Sequence, residues 1–304
     1  METMQNEGDF RERLRVCLLQ TNCAPVFWQL EPADRAVYEE QLWSYVRGSV
    51  AALRLTPDRP DIVLLPELAL PRSRIAALER FATDLALIVI VGLDYLIGSD
   101  RLDATNEAYV LVPDNWRTKG FGRFCQRIRV GKTYPAPKEA QELKARGLNF
   151  KQDPTYYLFD GADIGRFGVA ICYDLMDLER AALYAGRIQH LFVVAYNQDT
   201  QSFFHISESL SRVMFCNVVI CNTGYFGGSV AVAPYYVPWK RTIYKHEGSS
   251  LATSQVVTLP VRDLVDAQHG VRKTVSKDSE EMLFKNPPPQ LQKRLVLIER
   301  QKTI

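Results

Sequence analysis

Two kinds of apolar pattern alternate along the chain. Short continuous runs bounded by charged or turn residues read as buried strands: residues 15–20 (RVCLLQ), 61–67 (DIVLLPE), 86–94, 106–113, 126–130, 166–172 and 190–196 (HLFVVAY), then CNVVICN, GSVAVAP and LATSQVVTLP. Between them, apolar residues recur at helical spacing. Tyr38, Leu42, Tyr45, Val46, Val50 and Leu53 form one stripe along residues 34–53, and residues 72–84, 177–186 and 202–215 show the same period. Residues 156–160 and 166–172 read as a strand pair with Gly161 in the turn between them, and residues 135–147 as a polar, partly helical excursion. Strands that are apolar throughout need cover on both faces, so strands interleaved with helices predict a layered α/β domain.

The pattern supports one domain over residues 15–270, preceded by a polar segment, 1–14, and followed by a tail or arm, 271–304, that holds a Pro-Pro-Pro step and several charges. With 304 residues and 47% hydrophobic content there is material for a large core. Basic and acidic residues nearly cancel, 37 against 35, so neither nucleic acid nor a membrane surface is an expected partner. METMQNEGDFRERL lacks the apolar stretch of a secretory signal, and the apolar run at 85–93 falls short of the ~20 residues that span a bilayer, so a cytoplasmic protein is expected. Six cysteines without a CxxC pair read as free thiols, and four scattered histidines predict no metal site.

Candidate chemistry sits where strands end. Glu67 in LLPEL and Cys172 in AICYDL lie at strand-to-helix steps, which places them at the carboxyl edge of a sheet, where α/β proteins assemble their sites. A helix starting just after Cys172 aims N–H groups at the sulfur. Lys132, in RVGKTYP, also ends a strand. Each feature alone has a plainer explanation: a strand-end cysteine as a small core residue, a glutamate facing a helix N-terminus, a solvated lysine. It is their order that carries information. LLPEL, RVGKTYPAPKE and GVAICYDLMDLE resemble the three motif regions of the nitrilase, or carbon–nitrogen hydrolase, superfamily, and SRVMFCNVVICNTGYFGGSVAVAP resembles its later block. The likeness runs over about residues 15–264.

The resemblance implies a four-layer α-β-β-α sandwich of two similar halves. It implies a hydrolase acting on a non-peptide carbon–nitrogen bond of a small amide, N-carbamoyl compound or nitrile. Cys172 is then the nucleophile that forms a thioester, Glu67 the general base and acid, and Lys132 the cation that holds the tetrahedral intermediate together with the Tyr173 backbone N–H. Glu139, seven positions after Lys132, matches the family's second glutamate, with Glu142 a local rival and Lys138 a rival for the lysine role. Asp174 is expected to support the turn, and Tyr196, Asn197, Tyr225 and Phe226 to line the pocket. Burial is expected to raise the pKa of Glu67, and Lys132 to lower that of Cys172. No metal or organic cofactor is implied; a homodimer or larger homo-oligomer is, with residues 177–186 and 202–215 as interface candidates.

The sequence departs from the family where Met176 and Leu178 replace an arginine and a proline, and where Pro234-Tyr235-Tyr236 replaces Pro-x-Gly. Two alternatives remain: an ammonia-supplying glutaminase serving a separate partner, since no GxxxxGK[ST] or fused synthetase is present, and a catalytically idle member serving as a binding or assembly module. The family's membrane-bound acyltransferases lack a counterpart for their spans, and the absence of GxSxG and of a strand-linked GxGxxG disfavours a serine hydrolase or a dinucleotide enzyme.

Overall fold

A computed structural model describes residues 10–24, 32–55, 59–99, 102–276, 280–289 and 291. Along the chain run β1 (Arg13–Gln20), α1 (Pro32–Ala52), β2 (Ile62–Leu64), α2 (Ile75–Leu85), β3 (Ile88–Gly92), β4 (Leu96–Ile97), β5 (Asp103–Thr105), β6 (Glu107–Pro113), β7 (Cys125–Gly131), α3 (Pro137–Ala145) and β8 (Asn149–Phe150). The second half holds β9 (Phe159–Asp160), β10 (Arg166–Ile171), α4 (Leu178–Tyr184), β11 (His190–Ala195), α5 (Thr200–Leu210), β12 (Asn217–Asn222), β13 (Val230–Val232), α6 (Pro238–Arg241), β14 (Thr242–Lys245), β15 (Thr253–Pro260) and α7 (Arg262–Gln268).

Two six-stranded sheets result, in the orders β15-β1-β2-β3-β6-β7 and β14-β13-β12-β11-β10-β9. Each has three parallel strands, β1-β2-β3 and β10-β11-β12, flanked by antiparallel neighbours, so the two halves share one plan. Alternation along each strand decides the layering. In β1, Val16 and Leu18 face the other sheet and share a core with Phe167, Val169 and Phe192, whereas Cys17 and Leu19 face outward onto Trp43 and Val46 of α1. Helices on the outside and two sheets within make the expected four-layer α-β-β-α sandwich.

Several boundaries differ from the pattern-based reading for local reasons. The strand at 61–67 stops at Leu64 because Pro66 has no N–H to donate to the ladder. Residues 72–84 begin with a 3-10 turn, Arg72–Arg74, before α2, which ends at Ala86 in the left-handed region (φ 52°). Residues 202–215 split into α5, started at Thr200 by the Asp199 side chain accepting from Ser202 N–H, and a wide π turn, Ser211–Phe215. The helix expected immediately after Cys172 is instead a 3-10 turn, Cys172–Met176, and α4 begins only after Asp177 caps it.

Beyond residue 270, Phe284 and Leu291 are buried against Phe215 and Leu264, so this part of the tail packs on the body. Residues 292–304 of the expected tail and 1–9 of the expected N-terminal segment lie outside the described residues. Among the described residues no helix is long and apolar enough to cross a membrane.

Candidate active site

The ends of both sheets meet at one edge of the sandwich. β2 and β3 run out there, β7 ends beside the start of β6, with Gly131 opposite Glu107, and β10 and β11 deliver Cys172 and Tyr196 from the facing sheet. Glu67 arrives by a turn that passes over β3 at Gly92. A Cβ at Gly92 would lie 2.4 Å from Glu67 Cα and 2.5 Å from the Pro66 carbonyl oxygen, so only glycine admits this approach. Cys172 takes φ 47°, a left-handed conformation that costs an L-residue about 1–2 kcal/mol and here turns the thiol off the strand end into the site.

The side chains converge. Lys132, only 1% exposed, places Nζ 2.8 Å from Glu67 Oε1 and 2.5 Å from Glu139 Oε2. Asn106 Nδ2 donates to Glu67 Oε1 (2.7 Å) and to Glu139 Oε1 (2.9 Å), and the Tyr95 hydroxyl donates to Glu139 Oε1 (2.5 Å). Glu67 and the Tyr196 backbone N–H both lie near enough to the Cys172 thiol to act on it electrostatically. Asp174 ties the lysine to the cysteine: its carboxylate accepts from the Thr133 and Tyr134 N–H groups just past Lys132 and from Arg180 Nη2.

Electrostatics follow from burial and from one cation serving two anions. Burial raises the Glu67 pKa, and the Glu139 charge adds to that against the pull of Lys132. Burial works the same way on Glu139, but there the charge and hydrogen bonds of Lys132, with Tyr95 and Asn106, hold the carboxyl below its ordinary value. Lys132 stays firmly protonated, because the two carboxylates outweigh its own desolvation. The Cys172 thiol is pushed well up by burial and by Glu67, more than Lys132 and the Tyr196 N–H pull it down. Lys132 pulls the thiol down as expected, but burial and the Glu67 charge outweigh it, so the net direction is upward.

These groups form the floor of a cavity of about 370 Å³. Its walls include Leu68, Pro137, Met176, Phe203 and Phe226, with Glu142 and Lys138 also lining it. Of the pocket candidates, Tyr196, Asn197 and Phe226 are among its lining residues, as is Tyr173, and the Tyr196 ring stands edge-on to Phe226 at 5.5 Å. Tyr225 is not among the lining residues and packs its ring against Phe226 instead. Asn197 is held by Asn222, whose Oδ1 accepts from its N–H (2.8 Å) and whose Nδ2 donates to its carbonyl (2.7 Å). Tyr95 and Asn106 escaped the sequence reading, whereas Asn222 ends β12 within the later block. The one signal available for each of the first two is its position at a strand end on the same sheet edge as the motif residues.

No protein-family model matches the chain, and no curated protein matches it. Solved structures do. An amidase from Nesterenkonia sp. superposes with a TM-score of 0.57 at 16% identity over 85% of this chain and 95% of that one. Nit3 of Saccharomyces cerevisiae, a member of branch 10 of the nitrilase superfamily, gives 0.58 at 15% over 89% and 97%. XC1258 of Xanthomonas campestris, a CN-hydrolase superfamily protein with an arsenic adduct in its active site, gives 0.58 at 14% over 86% and 95%. The fold of this chain is the nitrilase-superfamily fold.

Proposed function

We propose that the chain is a carbon–nitrogen hydrolase that cleaves the non-peptide C–N bond of a small amide or N-carbamoyl compound through a Cys172 thioester. The observation that carries this reading is the meeting of Glu67, Lys132 and Cys172, from three distant segments, on the floor of one cavity. The cysteine of a protein with the same fold is nucleophilic: in a mutant of the Nesterenkonia sp. AN1 amidase, the acetamide moiety of fluoroacetamide is added covalently at the active-site cysteine. Acrylamide and butyramide are bound by other mutants of that enzyme.

An amide carbon is a weak electrophile, so the protein supplies nucleophile, proton transfer and charge stabilisation together. Glu67 takes the thiol proton as the sulfur bonds to the carbonyl carbon, and the C=O π pair moves to oxygen. Lys132 has three N–H donors, of which Glu67 and Glu139 engage two, so the third is available to the oxyanion beside the Tyr173 N–H. Glu67 then returns the proton to the nitrogen, the C–N bond breaks and ammonia or an amine leaves. Water adds to the thioester, giving its proton to Glu67, and the C–S bond breaks to restore the thiol and release the acid. For free side chains, moving a proton from thiol to carboxylate is uphill by about four pKa units, roughly 5–6 kcal/mol. Burial raises the pKa of Glu67, which makes its carboxylate a stronger acceptor for the thiol proton, although burial raises the thiol as well.

The cavity suits a compact acyl group against Leu68, Met176, Phe203 and Phe226. Ammonia release from a panel of aliphatic and aromatic amides, carbamoyl compounds and nitriles tests the reading. Wild type should act on amides or carbamoyl compounds while Cys172→Ala and Glu67→Gln do not; release undiminished in Cys172→Ala would sink it. Self-association belongs to the same reading. Leu178, 82% exposed, and Val213, 60% exposed, leave apolar surface on α4 and on the turn after α5. Sedimentation should show a dimer or larger species that Leu178→Asp weakens, and a monomer at all concentrations would contradict this.

A further inference from the structure

We infer that Asn106 is a positioning residue for the general base: its carboxamide decides which oxygen of Glu67 is left to face Cys172 and keeps that carboxylate in its proton-accepting form. The inference rests on the proposed role of Glu67. Asn106 stands immediately before β6 and is 1% exposed. Its amide nitrogen spends both hydrogens on carboxylates, one on Glu67 Oε1 at 2.7 Å and one on Glu139 Oε1 at 2.9 Å. Its main-chain carbonyl accepts from the Lys132 N–H at 2.9 Å, so the same residue sets the height of the lysine. Its neighbour Glu107 is clamped by Arg72 (2.9 Å) and Arg129 (2.8 Å), which fixes the start of the strand.

The orientation of the amide is determined by what surrounds it. Turned over, Oδ1 would face two carboxylates; as it stands, Oδ1 is buried with no partner. An unpaired buried acceptor is an uncommon feature, and here it is the consequence of giving both donors to the acids. Lys132 and Asn106 both address Oε1 of Glu67, which leaves Oε2 for the thiol proton. A lysine ammonium rotates freely and cannot by itself fix the carboxylate plane, whereas a planar amide anchored on two acceptors can. Glu67 is also faced by Glu139, Cys172, Tyr95, Cys23 and Tyr196, none of which offers a second rigid donor to Oε1.

The test needs no substrate. Iodoacetamide alkylation of the full-length chain is followed over pH through the mass of the peptide containing Cys172, for wild type, Glu67→Gln, Asn106→Ala and the isosteric Asn106→Asp. Wild type should show an acid limb that Glu67→Gln abolishes. Losing a donor to the ionised form raises the pKa of the base, so the limb in Asn106→Ala should move up by about one pH unit. That is roughly a tenfold slower reaction on the limb, with rates converging above it. Asn106→Asp offers at most one donor and adds a negative charge, so it should move the limb further in the same direction; it carries the test if Asn106→Ala does not fold. A uniform slowing with the limb in place marks a merely structural role and overturns the inference alone. A wild type without a Glu67-dependent limb overturns the general-base reading and this inference with it.

Discussion

Lys132 Nζ lies 2.8 Å from Glu67 Oε1 with both side chains buried, and the same ammonium reaches Glu139 Oε2 at 2.5 Å. One cation thus serves two carboxylates in a buried position. The arrangement explains why the acids diverge: Glu139, with four donors, is held down, and Glu67, closed in beside the thiol, is pushed up. Environments that split two like groups in this way assign them different work.

Removing the cation should therefore cost stability in a pH-dependent way. Lys132→Met leaves two buried carboxylates uncompensated, and breaking a buried pair from one side typically costs ~3–5 kcal/mol. Without Lys132 both acids have folded pKa values above their unfolded ones, so the loss is greatest at high pH and shrinks as they protonate. Urea unfolding at pH 5 and pH 8 should show the larger deficit at pH 8; an equal deficit at both would contradict the pairing.

Glu67 gives a second pH signature in the wild-type protein. Its folded pKa is raised, so its contribution to stability is fully present below the unfolded value near 4.5 and is lost as pH rises through the folded value. Each unit of elevation is worth about 1.4 kcal/mol of that change. The stability difference between wild type and Glu67→Gln should move in favour of the variant on going from pH 4 to pH 8. A difference that is flat with pH, or moves the other way, would show that Glu67 is not raised.

Gly92 offers a backbone test. Gly92→Ala forces a Cβ into the chain at Pro66 and Glu67, where there is no flexible side chain to give way. Overpacking of this kind costs ~1–3 kcal/mol or more, and the displaced atoms include the Cα of Glu67. The variant should lose both thermal stability and Cys172 alkylation at neutral pH. Unchanged alkylation in a folded Gly92→Ala would mean that Glu67 does not depend on that crossing.

Much of this architecture can be read from residue order. The apolar runs of β1, β3, β10, β11 and β12 are buried along their length, and hydrophobic continuity reports that condition directly. Two-residue strands such as β4 and β8 carry no period to detect, and β14, half-buried throughout, shows no alternation. Glu67, Lys132, Glu139 and Cys172 stand out because three motifs recur in order. Asn106 and Tyr95 do not, since what matters about them is a direction in space that a single amide or phenol near a strand end does not announce. The net upward shift of the Cys172 thiol is not legible either, for a related reason: a motif names the neighbouring lysine but says nothing of how completely the sulfur is buried.

The central claim is that Cys172 becomes covalently acylated. Intact-mass measurement of wild type, Glu67→Gln and Cys172→Ala after incubation with a panel of small amides and with fluoroacetamide tests it most directly. The account predicts on wild type an adduct equal to the acyl fragment for an amide, and to the acetamide moiety with loss of fluoride for fluoroacetamide, mapped to Cys172, lost in Cys172→Ala and slowed in Glu67→Gln. An adduct that persists in Cys172→Ala, or none on a folded wild type that nonetheless releases ammonia, would contradict it.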